Sequence, residues 1–240
     1  MATAILQKVE SKTLRGLIAQ QLREAILNGS LREGERLIER KLADQCGASL
    51  TAVREALIEL ETEGFVHKQP NAATHVIKLS LPEIKKIFAI RRVLEAYAVT
   101  EAARCCSEEQ KLALEGIYFD LVQSARLKDA KLYVQKDYAL HKAIWAVSGN
   151  EYLEAHLQRL VLPYFAFCAI RTVARSSIDM MQDAALHLPI VQSIGQRDPD
   201  TAQKAFFQAL GQWWTSTTDV LDDQLKVAMA STPGAVLPAP

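Results

Sequence analysis

Asp137 and His141 stand four residues apart in DYALHKAI, and His187 stands in a later stretch, ALHLPIV. On a helix the first two side chains share a face. A carboxylate and an imidazole at that spacing, joined by a second imidazole, can hold a divalent metal. Taken alone, an Asp-x-x-x-His pair is more often an ordinary surface or core pair, so both readings stand at this point. The four cysteines, Cys46, Cys105, Cys106 and Cys168, lack metal-finger spacing. They suit a reducing cytoplasm as small buried hydrophobes. Trp145, Trp213 and Trp214 read as packing, while Tyr133, Tyr138 and Tyr164 can lend polar groups to a pocket, with nothing to rank them.

Such groups need rigid elements, and beyond residue 80 nearly everything is helical. The pattern places helices over Pro82–Cys106, Glu108–Lys128, Ala130–Ser148, Glu151 to about Val173, Ser176–Gly195 and Pro199 to about Val227. Ser80 can cap the first and Pro82 suits its first turn; Ser107 precedes Glu108 and Glu109, favourable at a positive helix end. Gly149-Asn150 and Arg197-Asp198-Pro199 make the later breaks. Six helices with short connections predict an antiparallel bundle over 80–230. Ser231 to Pro240, with three prolines, reads as a disordered tail. No internal repeat is visible.

Ahead of the bundle lies Arg40 to Phe65, RKLADQCGASLTAVREALIELETEGF. Leu42, Ala43 and Cys46 give a short helix an apolar side, and Gly47 can take the left-handed conformation that ends it. Ser49 sits where an N-cap belongs, and Val53, Ala56, Leu57, Leu60 and Glu61 follow at helical spacing. This is the grammar of a helix-turn-helix, with an ordinary helical hairpin as the alternative. An earlier helix runs from about Leu14 to Leu27 on an apolar face of Leu14, Leu17, Ile18, Leu22 and Ile26, stopped by Asn28-Gly29. After Gly64, Phe65–Lys68 and His75–Lys78 read as two short strands around turn formers Pro70 and Asn71, making a winged helix over 9–79.

The ordered series AILNGSLREGERLIERKLADQCGAS, TAVREALIELETEGFV and PNAATHVIKLS resembles the N-terminal domain of the GntR family of bacterial transcription regulators. The similarity is greatest to the branch with an all-helical ligand-sensing domain, the FadR or FCD branch. It covers most of Leu14 to Ser80, and the helical part behind fits. The resemblance implies a mainly α fold, a winged helix-turn-helix followed by an FCD-like bundle. It also implies DNA contacts from Arg54, on the recognition helix, and from Arg40, on the helix before it. Ser49 and Thr51 could bind phosphates, and Lys68 could do so from the wing. Arginine reads guanine through two bonds to one base edge, worth about 1–3 kcal/mol of discrimination. The alternative for Arg54 is a salt bridge within the domain. The chain departs from the family at Leu50, where an arginine is usual, at Ala52, usually proline, at Glu33, usually proline, and at Ala72 and Ala73, where glycine is common. Leu50 offers only apolar contact, so a different operator or looser binding is expected.

In the sensing domain, the family's metal ligands map onto Asp137, His141 and His187, which implies a divalent ion such as Zn, Ni or Mn. The fourth, 22 positions after His187, falls on Ala209, flanked by Gln208 and Gln212, poor substitutes for imidazole. Three ligands can hold an ion more weakly, completed by water or an acidic effector; a metal-free pocket is the other outcome. Arg91, before the family's leucine-glutamate pair, is the effector-binding candidate, since an arginine can grip a carboxylate bidentately. A salt bridge to Glu95 or a neighbour is the alternative, more so for Arg92.

Composition agrees with a folded protein of one or two domains: 240 residues, 49% hydrophobic, 10 glycines and 8 prolines. Formal charge is zero, so DNA binding needs a local basic face. Met1 to Ser11 lacks the apolar core of a signal peptide and no run is long enough to span a membrane, which predicts a cytoplasmic protein. The reading is a ligand-responsive transcription regulator, a homodimer on a pseudo-palindromic DNA operator, with repression relieved by a small organic acid or acyl metabolite as the expected sign. A metallohydrolase using the same three residues is disfavoured by the winged helix and by the lack of a second carboxylate as base. An interaction module that has lost DNA binding is the other rival, motivated by Leu50.

Overall fold

The computed structural model describes residues 13–68, 73–175 and 179–230, with the side chains of 171–175 and 216–230 excepted. Thr13 opens the first helix, its hydroxyl accepting from the Gly16 amide at 3.2 Å. Helix α1 runs Leu14–Leu27 and buries Ile18, Ala19, Leu22, Ile26 and Leu27. Of the expected face Ile18, Leu22 and Ile26 are buried, whereas Leu14 and Leu17 are exposed and Ala19 and Leu27 are buried in addition. Helix α2, Glu39–Cys46, ends at Gly47 with φ 60°, a left-handed conformation that any side chain would strain. Helix α3, Leu50–Thr62, starts on Ser49, whose Oγ accepts from Ala52 N at 3.2 Å. It buries Val53, Ala56, Leu57 and Leu60 and leaves Glu61 exposed. Arg23 reaches from α1 to fork onto both carboxylate oxygens of Glu63 at 2.6 and 2.7 Å, tying the two helices.

The wing is a three-stranded antiparallel sheet in the order β1-β3-β2, from β1 Arg36–Leu37, β2 Val66–Lys68 and β3 Thr74–Val76. Strand β1 is an addition to the sequence reading. Strand β3 starts and stops earlier than expected, in register with Arg36 opposite His75 and Lys68 opposite Thr74. The expected turn at Pro70 and Asn71, with Ala72, lies outside the described residues.

The chain divides after Lys78 into two compact units. The second unit carries α4 Leu81–Cys105, α5 Glu108–Arg126, α6 Ala130–Val147, α7 Glu151–Arg175, α8 Met180–Gly195 and α9 Pro199–Ala230. Glu83 turns back to accept from the Ser80 amide at 2.8 Å, and Ser107 accepts from Gln110 N at 3.1 Å. Helix α8 begins later than Ser176: Asp179 caps it through the Met181 and Gln182 amides, and 176–178 lie outside the described residues. Helix α4 packs on α6, α7, α8 and α9, while α5 packs on α6 and α8. The core between them includes Val99, Leu114, Leu121, Leu140, Ile144, Ile190, Ile194 and Phe206. The expected tail over 231–240 lies outside the described residues.

Candidate effector pocket and DNA-reading face

Helices α6 and α8 bring Asp137, His141 and His187 to one point. Asp137 Oδ1 lies 3.2 Å from His187 Nε2 and 3.9 Å from His141 Nε2, and the two imidazole nitrogens are 3.4 Å apart. The circle through these three atoms has a radius of about 2 Å, the bond length that Zn takes to nitrogen and carboxylate oxygen. His187 Nδ1 is 3.2 Å from the Asp183 carbonyl, so it carries the proton and leaves Nε2 with a lone pair turned inward. Asp137 Oδ1 is buried and accepts no hydrogen bond despite its closeness to His187. Such an orphan is costly unless something fills the point it faces.

Burial sets the charge states here. It pushes the Asp137 carboxyl up to about 7, against the opposing pull of His187. His141 is held well below the ordinary imidazole range, first by burial and then by His187 and Arg91, so its ring is neutral at neutral pH. Neutral imidazole is the ligating form. Behind His141, Glu95 Oε1 stands 3.7 Å from Nδ1. Glu95 is itself raised by burial, which outweighs Arg91 beside it. Burial would lower Arg91, but Glu95 and then Tyr164 overcome it and hold the guanidinium charged.

The ion pair left open between two arginines belongs to Arg91. Its Nη2 and Nε donate to the two oxygens of Glu95 at 3.0 and 3.3 Å. The guanidinium lies 4.8 Å from the centre of the Tyr164 ring and 5.3 Å from that of Phe165. Arg92 is exposed and covers Phe207. Tyr133 donates to Asp183 Oδ2 at 2.6 Å, and Tyr138 meets Trp145 and Phe165 edge-on. Trp145 is fully buried packing, as expected. Ala209 is half-buried against the bundle core with no donor to offer, and Gln208 and Gln212 are exposed. Asp183 was missed, and Glu95, expected only as a salt-bridge partner, also stands behind His141. An acid four residues after an arginine looks the same in sequence whether it is buried or solvated.

On the first unit, Leu50, Thr51 and Arg54 are exposed at the start of α3, and Arg40 is exposed on α2. Arg54 Nε donates to Glu39 Oε2 at 2.6 Å, a partner on α2 rather than on its own helix. Ser49 Oγ is engaged as the cap, while the Lys68 side chain is exposed on β2. His67 and His75 face each other across β2 and β3 with rings stacked 5.7 Å apart, a pair that spacing did not reveal.

Residues 14–76 match the family model for bacterial regulatory proteins of the gntR family, and residues 86–211 match the FCD domain. The chain is 28% identical to the uncharacterized HTH-type transcriptional regulator YieP of Escherichia coli K12, over 83% of this chain and 93% of that one. It is 26% identical to the gluconate operon transcriptional repressor of Bacillus licheniformis, over 80% and 79% of the two. Among solved structures it shares the fold of E. coli McbR/YncC with a TM-score of 0.68 at 20% identity, covering 89% of this chain and 99% of the other. No helix among the described residues is long and apolar enough to cross a membrane. The matched families are regulators rather than enzymes. With a gntR model over its helix-turn-helix and an FCD model over its bundle, the chain belongs to the GntR family: it is a DNA-binding transcription regulator with an FCD effector-binding domain.

Proposed function

We propose that this regulator is a cytoplasmic homodimeric repressor whose hold on a pseudo-palindromic operator is loosened by a small organic acid bound in the helical domain. Two functional parts follow, DNA binding over 9–79 and effector binding with dimerisation over 80–230. The observation that carries the sensing half is the convergence of Asp137, His141 and His187 on a point about 2 Å from each donor atom, with Asp137 Oδ1 buried and unpartnered. Two imidazoles and one carboxylate suit Zn, Ni or Mn. Such an ion would supply positive charge and open coordination positions for a carboxylate.

The chain's own groups prepare that chemistry. The Asp183 carbonyl orients His187, Glu95 backs His141, and Arg91, the effector-binding candidate, is held in place on both oxygens of Glu95. Repression as the sign is supported by the gluconate repressor's similarity. On DNA, Arg54 and Arg40 would read or position, with Thr51, Ser49 and Lys68 toward phosphate. A ligand shifts DNA affinity only through its different affinity for the two arrangements of the dimer.

Elemental analysis of chelator-free protein tests the ion: near-stoichiometric Zn, Ni or Mn is expected, and its absence even after reconstitution rejects the metal. Binding to the protein's own upstream DNA, measured across salt concentrations and with a carboxylate panel, tests the regulator. A complex that weakens with salt and dissociates with one acid is expected. No complex at low salt rejects the reading.

A further inference from the structure

Helix α4 keeps one face uncovered. Ile90, Val93 and Tyr97 are 48%, 67% and 49% exposed, and they form a single stripe at helical spacing with Lys86 before them and Glu101 after. Such a row of apolar side chains on a surface marks a contact site. Its order is what identifies the occupant. About the midpoint between Val93 and Leu94, the stripe is complementary to its own reversal. Ile90 and Tyr97 lie equally far from that midpoint, and so do Lys86 and Glu101, which carry opposite charges. One turn further out the same holds for Glu83 and Arg104, again opposite in sign.

From this we infer that two copies of the chain pair through α4, the helices antiparallel across a two-fold axis at Val93–Leu94. An isologous contact requires that each residue meet its mirror position, which the stripe satisfies with apolar groups at the centre and opposite charges at both ends. Ile90 of one protomer meets Tyr97 of the other, and Lys86 meets Glu101. Val93, the most exposed of the apolar side chains, sits at the axis, and its short branch allows the helices to approach to about 8–10 Å. The charged ends lie about 22 Å apart along each helix, so a parallel or shifted pairing sets like charges or charge against apolar groups. Within one protomer Arg104 holds Glu101, a surface pair that this contact extends rather than opposes. The partner is a second copy because no unrelated surface would need this symmetry. The inference rests on the homodimer proposed above and names its seam.

Sedimentation velocity on the full chain over a concentration series tests it, with circular dichroism confirming that each variant is folded. Val93→Glu places two carboxylates at the axis and is expected to leave a monomer. Lys86→Glu and Glu101→Lys each set like charges opposite one another and are expected to raise the dimer dissociation constant about tenfold or more. Combining the two exchanges the charges and is expected to restore most of the wild-type constant, a rescue that only this register gives. A folded dimer unaffected by Val93→Glu and by both charge reversals overturns this seam and leaves the homodimer standing. Wild-type protein that stays monomeric at tens of micromolar removes the homodimer and the seam together.

Discussion

Arg54 and Arg91 are both arginines held by a glutamate, one on the surface of the helix-turn-helix and one inside the bundle. The Arg54 side chain is 59% exposed and its partner Glu39 25%, whereas those of Arg91 and Glu95 are 5% and 1% exposed. A pair open to water is worth about 0–1 kcal/mol, so Arg54 can leave Glu39 for a base or phosphate at small cost. A buried pair has no such freedom, because separating it strands a charge without solvent. The proposed reading site is therefore built from exchangeable partners, and the proposed sensing site from committed ones.

The sharpest way to break that contrast is to remove one member of the buried pair. Glu95→Ala leaves Arg91 charged and unpaired and is expected to destabilise the protein by about 3–5 kcal/mol in urea denaturation. Replacing both, Arg91→Met with Glu95→Leu, should cost far less than the single change. If Glu95→Ala costs no more than the double change, the pair is not the committed element described. Next in size is the ligand set: His141→Ala should weaken metal binding by about 100-fold or more, read by competition with a chromophoric chelator. The pH dependence has a defined sign. Asp137 keeps its proton up to about 7, and a metal must displace it. Affinity should then fall by about tenfold per unit as pH drops below that value, and level off above it. For the metal-free protein the same shift works in reverse. The unfolded carboxyl ionises near 3.8 and the folded one near 7, so Asp137's contribution to stability is full below 3.8 and is lost as pH rises to about 7. Asp137→Asn should flatten both profiles.

How far these two sites could be read in the chain follows from the same contrast. Helices α4 to α9 were visible to within a few residues, because Ser80, Ser107, Gly149 and Asp198 announce their ends through backbone chemistry that is local in sequence. Strand β1 was not, since Arg36 and Leu37 are extended only because β3 pairs with them. On α1 the centre of the face, Ile18, Leu22 and Ile26, was legible, but its edge was not: Leu17 and Ala19 both fit a helical period and only the packing partner decides between them. Asp137, His141 and His187 were legible from spacing and from the family resemblance. The depth of Arg91 and Glu95 was not, because burial is a property of what α6 and α7 lay over them.

At the exposed site the effects are smaller and separable. Arg54→Ala should cost operator binding about 1–3 kcal/mol if Arg54 contacts a base, and little against scrambled DNA, as read by fluorescence anisotropy. Glu39→Gln, which frees the guanidinium without removing it, should leave operator binding intact or tighten it. A loss from Glu39→Gln equal to that from Arg54→Ala would make the pair a structural brace rather than a resting place.

Ser49 provides the finest division. Its hydroxyl already accepts from the Ala52 amide, so Ser49→Ala should lower thermal stability by about 1 kcal/mol through loss of the cap. Ser49→Gly should cost only a few tenths of that scale, since glycine is tolerated at a cap. If the hydroxyl also met a phosphate, both changes would weaken DNA binding alike, whatever they did to stability. A cap alone instead predicts that DNA affinity follows folding, with alanine worse than glycine. Measuring both variants for melting temperature and for operator affinity at two salt concentrations decides between them. The expected result is the first, because a hydroxyl that accepts from the Ala52 amide keeps its own proton to donate to a phosphate.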